Sequence, residues 1–277
     1  MAILAINTAA AKTNIAFIGK NLKEQDAKFS VLAERSWEDK NNEAEKLMPE
    51  IFGMIKKSGK SFKDIKEIFC IKGPGSFTGL RVGVTVANTM RYLLGAKLYA
   101  MDYFEYLWTR APKSPDQSDK KFKIKRMSTK SVRQNPAKTA LLIYAGKGGV
   151  YVSLSPKENF EKDVKNINIH DLAKFLKSKK VEKVFGDIIP EQKKFLGKVK
   201  FLENFTKSAK LKPGAKFKNL SEGGTKEHIN ENPTFGKAVA EIFEDHFSGK
   251  KTLKEVKVIK PVYIKKPGIT MSKSKIF

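Results

Sequence analysis

The residues with the most chemical meaning lie in one run, Gly73-Pro74-Gly75-Ser76-Phe77-Thr78-Gly79-Leu80-Arg81. It follows a short stretch of buried-strand character, Ile68-Phe69-Cys70-Ile71, and opens a long apolar segment. Backbone amides at the start of a helix can face an anion, and glycines there allow close approach and positive φ. Ser76 or Thr78 can supply the helix cap. The run matches neither the P-loop pattern nor G-x-G-x-x-G, so a structural turn with an ordinary cap is the competing reading. Elsewhere the chemistry is sparse. His170, His228 and His246 lie far apart without ligand spacing, so no metal site is expected. Cys70 is the single cysteine, which excludes a disulfide framework and a cysteine-based zinc site. No aromatic–basic stacking pattern for single-stranded nucleic acid stands out along the chain.

The elements that must position this run follow from periodicity. Ile3 to Ile6 and Asn14 to Ile18 read as a hairpin, with a third strand around Phe29 to Glu34. From Glu43 the period turns helical, with Leu47, Ile51, Met54 and Ile55 on one stripe and Met48 and Phe52 beside it, up to Gly59. A second helix spans about Phe77 to Gly95. Its Gly79, Gly83 and Ala87, spaced by four, form a groove where another backbone can approach. Leu80, Val82, Val84, Val86, Met90 and Leu93 lie on its other faces. Both helices are apolar more widely than one packing surface needs, which leaves core and protein–protein contact as alternatives. A strand at Lys97 to Met101 and a helix near Tyr103 to Thr109 follow. Strands at Ala140 to Tyr144 and Val150 to Leu154, a helix at Ile169 to Leu176, a strand at Lys183 to Phe185, a helix at Thr234 to Phe247 and a last strand at Val258 to Ile264 complete the reading. Strands followed by helices occur twice, which implies a two-lobed α/β protein. The expected division is 1–110 as first lobe, 111–139 as a basic linker or insertion, and 140–277 as second lobe.

Charge narrows the function little. The 277 residues hold 55 Lys plus Arg against 29 Asp plus Glu, a formal net charge of +26, and only six of the basic residues are arginine. Phosphate recognition favours arginine's bidentate fork, so this lysine bias reads chiefly as a solvated surface. Residues 1–110 carry a net charge of +5, whereas 111–139 carry +7 in a short span. Arg126 and Arg133 in that span are the candidate nucleic-acid contacts. No apolar run is long enough to cross a membrane, and a soluble, cytoplasmic protein is expected.

The run from Gly73 through Arg81 to Val82-Gly83 resembles the signature of the TsaB (YeaZ) family, whose members take part in forming threonylcarbamoyladenosine in tRNA. Ile3-Leu4-Ala5-Ile6-Asn7-Thr8 is similar to that family's opening, Leu47-Met48-Pro49 to its Leu-Leu-Pro helix, and Pro261-Val262-Tyr263-Ile264 to its closing strand. The likeness is dense over residues 3–108 and thin beyond. It implies an actin/hexokinase/Hsp70-like fold, each lobe a mixed sheet flanked by helices. It also implies a non-catalytic partner of a TsaD-like enzyme, joined by a TsaE-like ATPase, touching tRNA only indirectly and binding no cofactor. Weak nucleotide binding and a homodimer through the same helices stay open. The interface residues implied are Leu47, Ile51, Met54, Val84, Ala87 and Met90.

Two departures bear on chemistry. An active nucleotide site in this fold needs an aspartate after the first strand to orient metal and water. Here Asn7, followed by Thr8, takes that place, a degenerate position with a neutral amide. In the second lobe, Tyr144, Gly146 and Gly149 stand where the family pattern has Asp, Arg and Glu. The rival readings are an ATP-dependent kinase or hydrolase of the same fold, and a basic tRNA-binding module.

Overall fold

The computed structural model describes residues 1–21, 28–38, 42–111, 139–145, 148–155, 163–202 and 234–264. The first sheet is built from β1 (Ala2–Asn7), β2 (Thr13–Asn21), β3 (Lys28–Trp37), β4 (Ile65–Ile71) and β5 (Lys97–Met101). Its order is β3-β2-β1-β4-β5, antiparallel on the β2–β3 side of β1 and parallel on the β4–β5 side. All six residues of β1 are buried because both faces of the sheet are covered, so it reads as a continuous apolar run rather than an alternation.

The second sheet contains β6 (Thr139–Tyr144), β7 (Gly149–Ser153), β8 (Lys165–Asn168), β9 (Lys183–Asp187) and β10 (Lys200–Phe201), in the order β10-β9-β6-β7-β8. Strand β6 is antiparallel to β7 and parallel to β9, as β1 is to β2 and β4. The two sheets therefore repeat one topology about their first strands. The short β8 and β10 are not apparent from the sequence pattern, since neither has more than four residues or a buried alternation.

Helices α1 (Glu43–Lys57) and α2 (Phe77–Leu94) cover one face of the first sheet, packing Leu47, Ile51, Met54, Val84, Ala87 and Met90 on Leu4, Ile6, Ile15 and Phe17. Ser76 caps α2 by accepting a bond from the Gly79 amide at 3.2 Å, and Gly95 ends it at φ 61°. The opposite face packs α3 (Tyr103–Thr109) and α6 (Phe235–Phe247) in one core with Leu141, Ile143 and Phe185 of the second sheet. The far face of the second sheet packs on α4 (Leu172–Ser178), and the single-turn α5 (Pro190–Lys193) follows β9. The expected helix from Ile169 begins as a 3-10 turn and becomes α-helical at Leu172.

The chain after residue 234 returns to the first sheet. Helix α6 lies on β2 and β3, where Gly236 lets the backbones approach: a Cβ there would sit 2.9 Å from the Ala16 Cβ and 3.0 Å from Val31 Cγ1. The strand expected at Val258 to Ile264 does not form. That segment and the residue pair before it are fastened by separate bonds instead: Val256 N to Leu98 O at 2.8 Å, Val262 N to Lys72 O at 2.8 Å, and a pair of bonds between the Ile259 backbone and the Asn88 amide. Pro261 in its middle has no N–H to donate, which suits an edge crossing and not a ladder.

Gly83 sets the distance between α2 and the end of β1, because a Cβ there would meet Thr8 Oγ1 at 2.1 Å. Gly83→Ala is therefore expected to destabilise the chain by about 1–3 kcal/mol in urea unfolding. Thr8→Ala, which deletes a buried hydroxyl that makes no hydrogen bond, should restore most of the loss in the double variant. Additive losses in the double variant would contradict this packing account.

Candidate functional site

The signature loop turns inward. The Ser76 amide donates to Ala9 O at 3.0 Å, the Gly79 amide goes to the Ser76 hydroxyl, and Gly73 O accepts from the Tyr103 amide at 2.7 Å. A Cβ on Gly75 would lie 2.0 Å from Ala9 O, and one on Gly79 would lie 2.3 Å from Thr8 O. Gly73 itself is at φ 106°, which an L side chain rarely adopts. The backbone that approaches the small-residue groove is thus the chain's own turn between β1 and β2. Of the two readings of the loop, the capped structural turn accounts for these bonds. The loop's outer rim carries Phe77, whose ring lies 4.0 Å from the Arg81 guanidinium and 4.9 Å from Tyr263. Pro74 follows Gly73 in the loop, and Thr78 lies within the first turn of α2 without capping it.

Asn7 and Thr8 are buried at the end of β1. The Asn7 side-chain oxygen accepts from the Ala9 amide at 3.1 Å, so the neutral amide serves the turn. The carboxylate that meets this turn is instead Asp187, at the end of β9 in the second sheet. Its Oδ2 accepts from the Ala11 amide at 2.9 Å and from the Tyr103 hydroxyl at 3.0 Å. Tyr103 thereby spans the two lobes. A second tie between the lobes runs from Trp108 Nε1 to Ser153 Oγ at 3.0 Å, with the Trp108 ring edge-on to Phe185. Burial pushes the Asp187 carboxyl upward, opposed by its two donors and by Lys12. Burial, with the neighbouring Asp187 charge, pushes the Tyr103 phenol well up. Asp187 and Tyr103 escape sequence reasoning as site residues. The available signal is Gly186-Asp187 at the carboxyl end of a strand, where α/β sheets place their clefts.

Leu47, Ile51, Met54, Val84, Ala87 and Met90 are not at an interface surface: all six are buried between the helices and the first sheet. The apolar side chains that α1 and α2 leave in solvent are Met48 (40% exposed), Phe52 (56%), Tyr92 (80%) and Leu93 (71%). Arg126 and Arg133 lie outside the described residues. His246 is less of a bystander than its spacing implies, since its Nδ1 accepts from the Leu253 amide at 3.1 Å. Among the described residues no group of three or more His, Cys, Asp or Glu could hold a metal ion, and no helix is long and apolar enough to cross a membrane.

Two mixed five-stranded sheets of one repeated topology, flanked by helices, give the two-lobed fold of the actin/hexokinase/Hsp70-like class. A family model described as TsaD, tRNA N6-adenosine threonylcarbamoyltransferase, matches residues 30–120. A protein of Bacillus subtilis named tRNA threonylcarbamoyladenosine biosynthesis protein TsaB is 32% identical over 107 residues, 39% of this chain and 43% of that protein. A TsaB of Buchnera aphidicola is 35% identical over 86 residues, 31% of this chain and 35% of its own. YeaZ from Pseudomonas aeruginosa is 20% identical across 55% of this chain and 57% of that chain, at a TM-score of 0.36. The chain spans less than half the length of the curated relatives it matches. Over part of its first lobe the chain is thus similar to proteins named TsaB.

The buried Asp187 has a directional consequence. Its folded-state pKa lies above the unfolded value, so the folded state holds the proton more tightly and loses stability as pH rises out of the ordinary carboxylate range. Asp187→Asn keeps an acceptor for Tyr103 and Ala11 without the charge. Urea unfolding across pH should show wild type and Asp187→Asn similar in acid, with wild type falling below the variant as pH rises. Parallel curves would contradict an ionising Asp187 at this contact.

Proposed function

We propose that this chain is a non-catalytic partner of a TsaD-like threonylcarbamoyltransferase in the formation of threonylcarbamoyladenosine in tRNA, acting in the cytoplasm. The observation that carries the reading is the outer face of α1 and α2. These helices pack against each other on the sheet, yet Met48, Tyr92 and Leu93 remain in solvent, and we read them as the side chains a partner would cover. The names of the matched relatives point to the same pathway. A homodimer would use the same face in the absence of the enzyme, and a TsaE-like ATPase joins the assembled complex.

The cleft supports a partner without chemistry of its own. Mg²⁺ and a polarised water call for a carboxylate at the end of β1, where Asn7 is neutral, buried and engaged with Ala9. The amides of Ser76 and Gly79 already have internal acceptors, and Tyr103 reaches across to Asp187. No bound nucleotide is part of this reading. A rival ATP-dependent enzyme would show tight Mg-ATP binding with turnover in calorimetry, and that result would displace the proposal.

The direct test is co-purification with the cognate TsaD-like enzyme and reconstituted threonylcarbamoyl transfer with and without this chain. Complex formation and dependence of transfer on the chain are expected. Tyr92→Glu with Leu93→Lys should weaken the complex at least about tenfold, since each removes a large exposed anchor, while leaving the thermal transition of the free chain near wild type. Absence of any complex would sink the assignment.

A further inference from the structure

The C-terminal end of α1 carries a feature that the proposed partner face does not use, and of which the core takes only Ile55 and one side of Phe62. Phe52 on α1 and Phe62 in the following 3-10 turn stack at a centroid distance of 6.2 Å and an interplanar angle of 29°. Beside them is an open cavity of about 240 Å³ lined by Phe52, Ile55, Lys56, Lys60, Ser61 and Phe62. Phe52 is 56% exposed although it is a phenylalanine on a helix with a well-filled inner face. The surrounding sequence is predominantly basic. Lys56, Lys57, Lys60, Lys63 and Lys66 are all exposed within eleven residues. The only acidic side chain among residues 56–66 is Asp64, which already accepts from the Ser61 amide at 2.8 Å and the Ser61 hydroxyl at 3.0 Å.

We infer that this slot is a stacking site for single-stranded RNA. An aromatic face flanked by lysines is the arrangement that binds unpaired bases without reading their sequence: the ring takes the base and the ammonium groups follow the phosphates. A protein anchor would require a rim that excludes water, and here it would have to desolvate Lys56 and Lys60. RNA leaves those ammonium groups hydrated and releases counterions instead. The three longest segments outside the described residues do not fit the slot by charge, since residues 112–138, 203–233 and 265–277 are each net basic. The sequence shows no aromatic–basic stacking pattern here because Phe52 and Phe62 are ten residues apart and meet only where α1 ends and the chain doubles back. The choice of RNA rests on the pathway proposed above, but the RNA-binding measurement itself does not involve the enzyme.

The test uses the full chain with two fluorescently labelled RNA probes, an unpaired oligonucleotide and the same sequence in a duplex, read by anisotropy at several salt concentrations. Phe52→Ala should weaken binding of the unpaired probe about tenfold, and Phe52→Trp should preserve it. Lys56→Glu with Lys60→Glu should lower the salt slope by roughly 0.7 for each phosphate no longer neutralised. It should also weaken binding well beyond Lys250→Glu with Lys254→Glu, which makes the same charge change on exposed residues elsewhere. Melting curves confirm that each variant is folded, and Phe52 is exposed enough for its removal to spare the core. Three results would overturn the inference: Phe52→Ala binding like wild type, the two charge pairs behaving alike, or the duplex probe binding as well as the unpaired one. Loss of the TsaD-like complex in Phe52→Ala with RNA affinity unchanged would likewise overturn it, and would make the slot a protein contact. Failure of the enzyme complex with wild type alone would leave the RNA result standing.

Discussion

Everything in the first lobe depends on one close approach, that of the turn after β1 to the glycine stripe of α2. Gly75, Gly79 and Gly83 each face Thr8 or Ala9 at distances that leave no room for a Cβ. The contact brings the long helix down onto the sheet at the point where β1 and β4 run parallel. It also sets the direction in which α2 leaves and presents its ends. Interiors are too densely packed to absorb an extra methyl without displacement. The signature run is therefore best understood as a weld between backbone segments, with Ser76 closing the helix and joining it to Ala9.

The same weld governs the cleft. With the β1 turn held under α2, Gly73 O receives the Tyr103 amide, α3 starts in a defined place, and the Tyr103 hydroxyl reaches Asp187 on the other sheet. Side-chain bonds between the lobes thus occupy the carboxyl ends of the central strands, the place where α/β sheets hold ligands. The helices that give the chain its proposed partner surface sit on the opposite face of the first sheet, away from that junction. The proposed partner surface and that junction are separated by the sheet itself.

Much of the fold is legible because periodicity is a local property. Every helix of seven or more described residues is visible in the sequence, as are the first hairpin and the strand that follows it. The exceptions are short strands and the segment at Val258 to Ile264, which has strand composition but ends up crossing an edge with Asn88 as its main partner. The candidate site is less legible. The most apolar stripe on α1 and α2 has the composition of an interface, and it is the inner one. Burial strength and surface function compete for the same residue types, and the sheet claims the better stripe.

The amino-acid sequence by itself determined the class of the protein: two runs of strand and helix, a glycine-rich turn joining β4 to α2, an amide at Asn7 in place of a carboxylate, and a basic surface. Only the tertiary structure decided which side of each helix meets solvent, that Asp187 pairs with Tyr103 across 84 residues of chain, and that Phe52 stacks on Phe62. The reason is that a period fixes an angle about an element's own axis. What lies against each side is set by packing between elements distant in the chain.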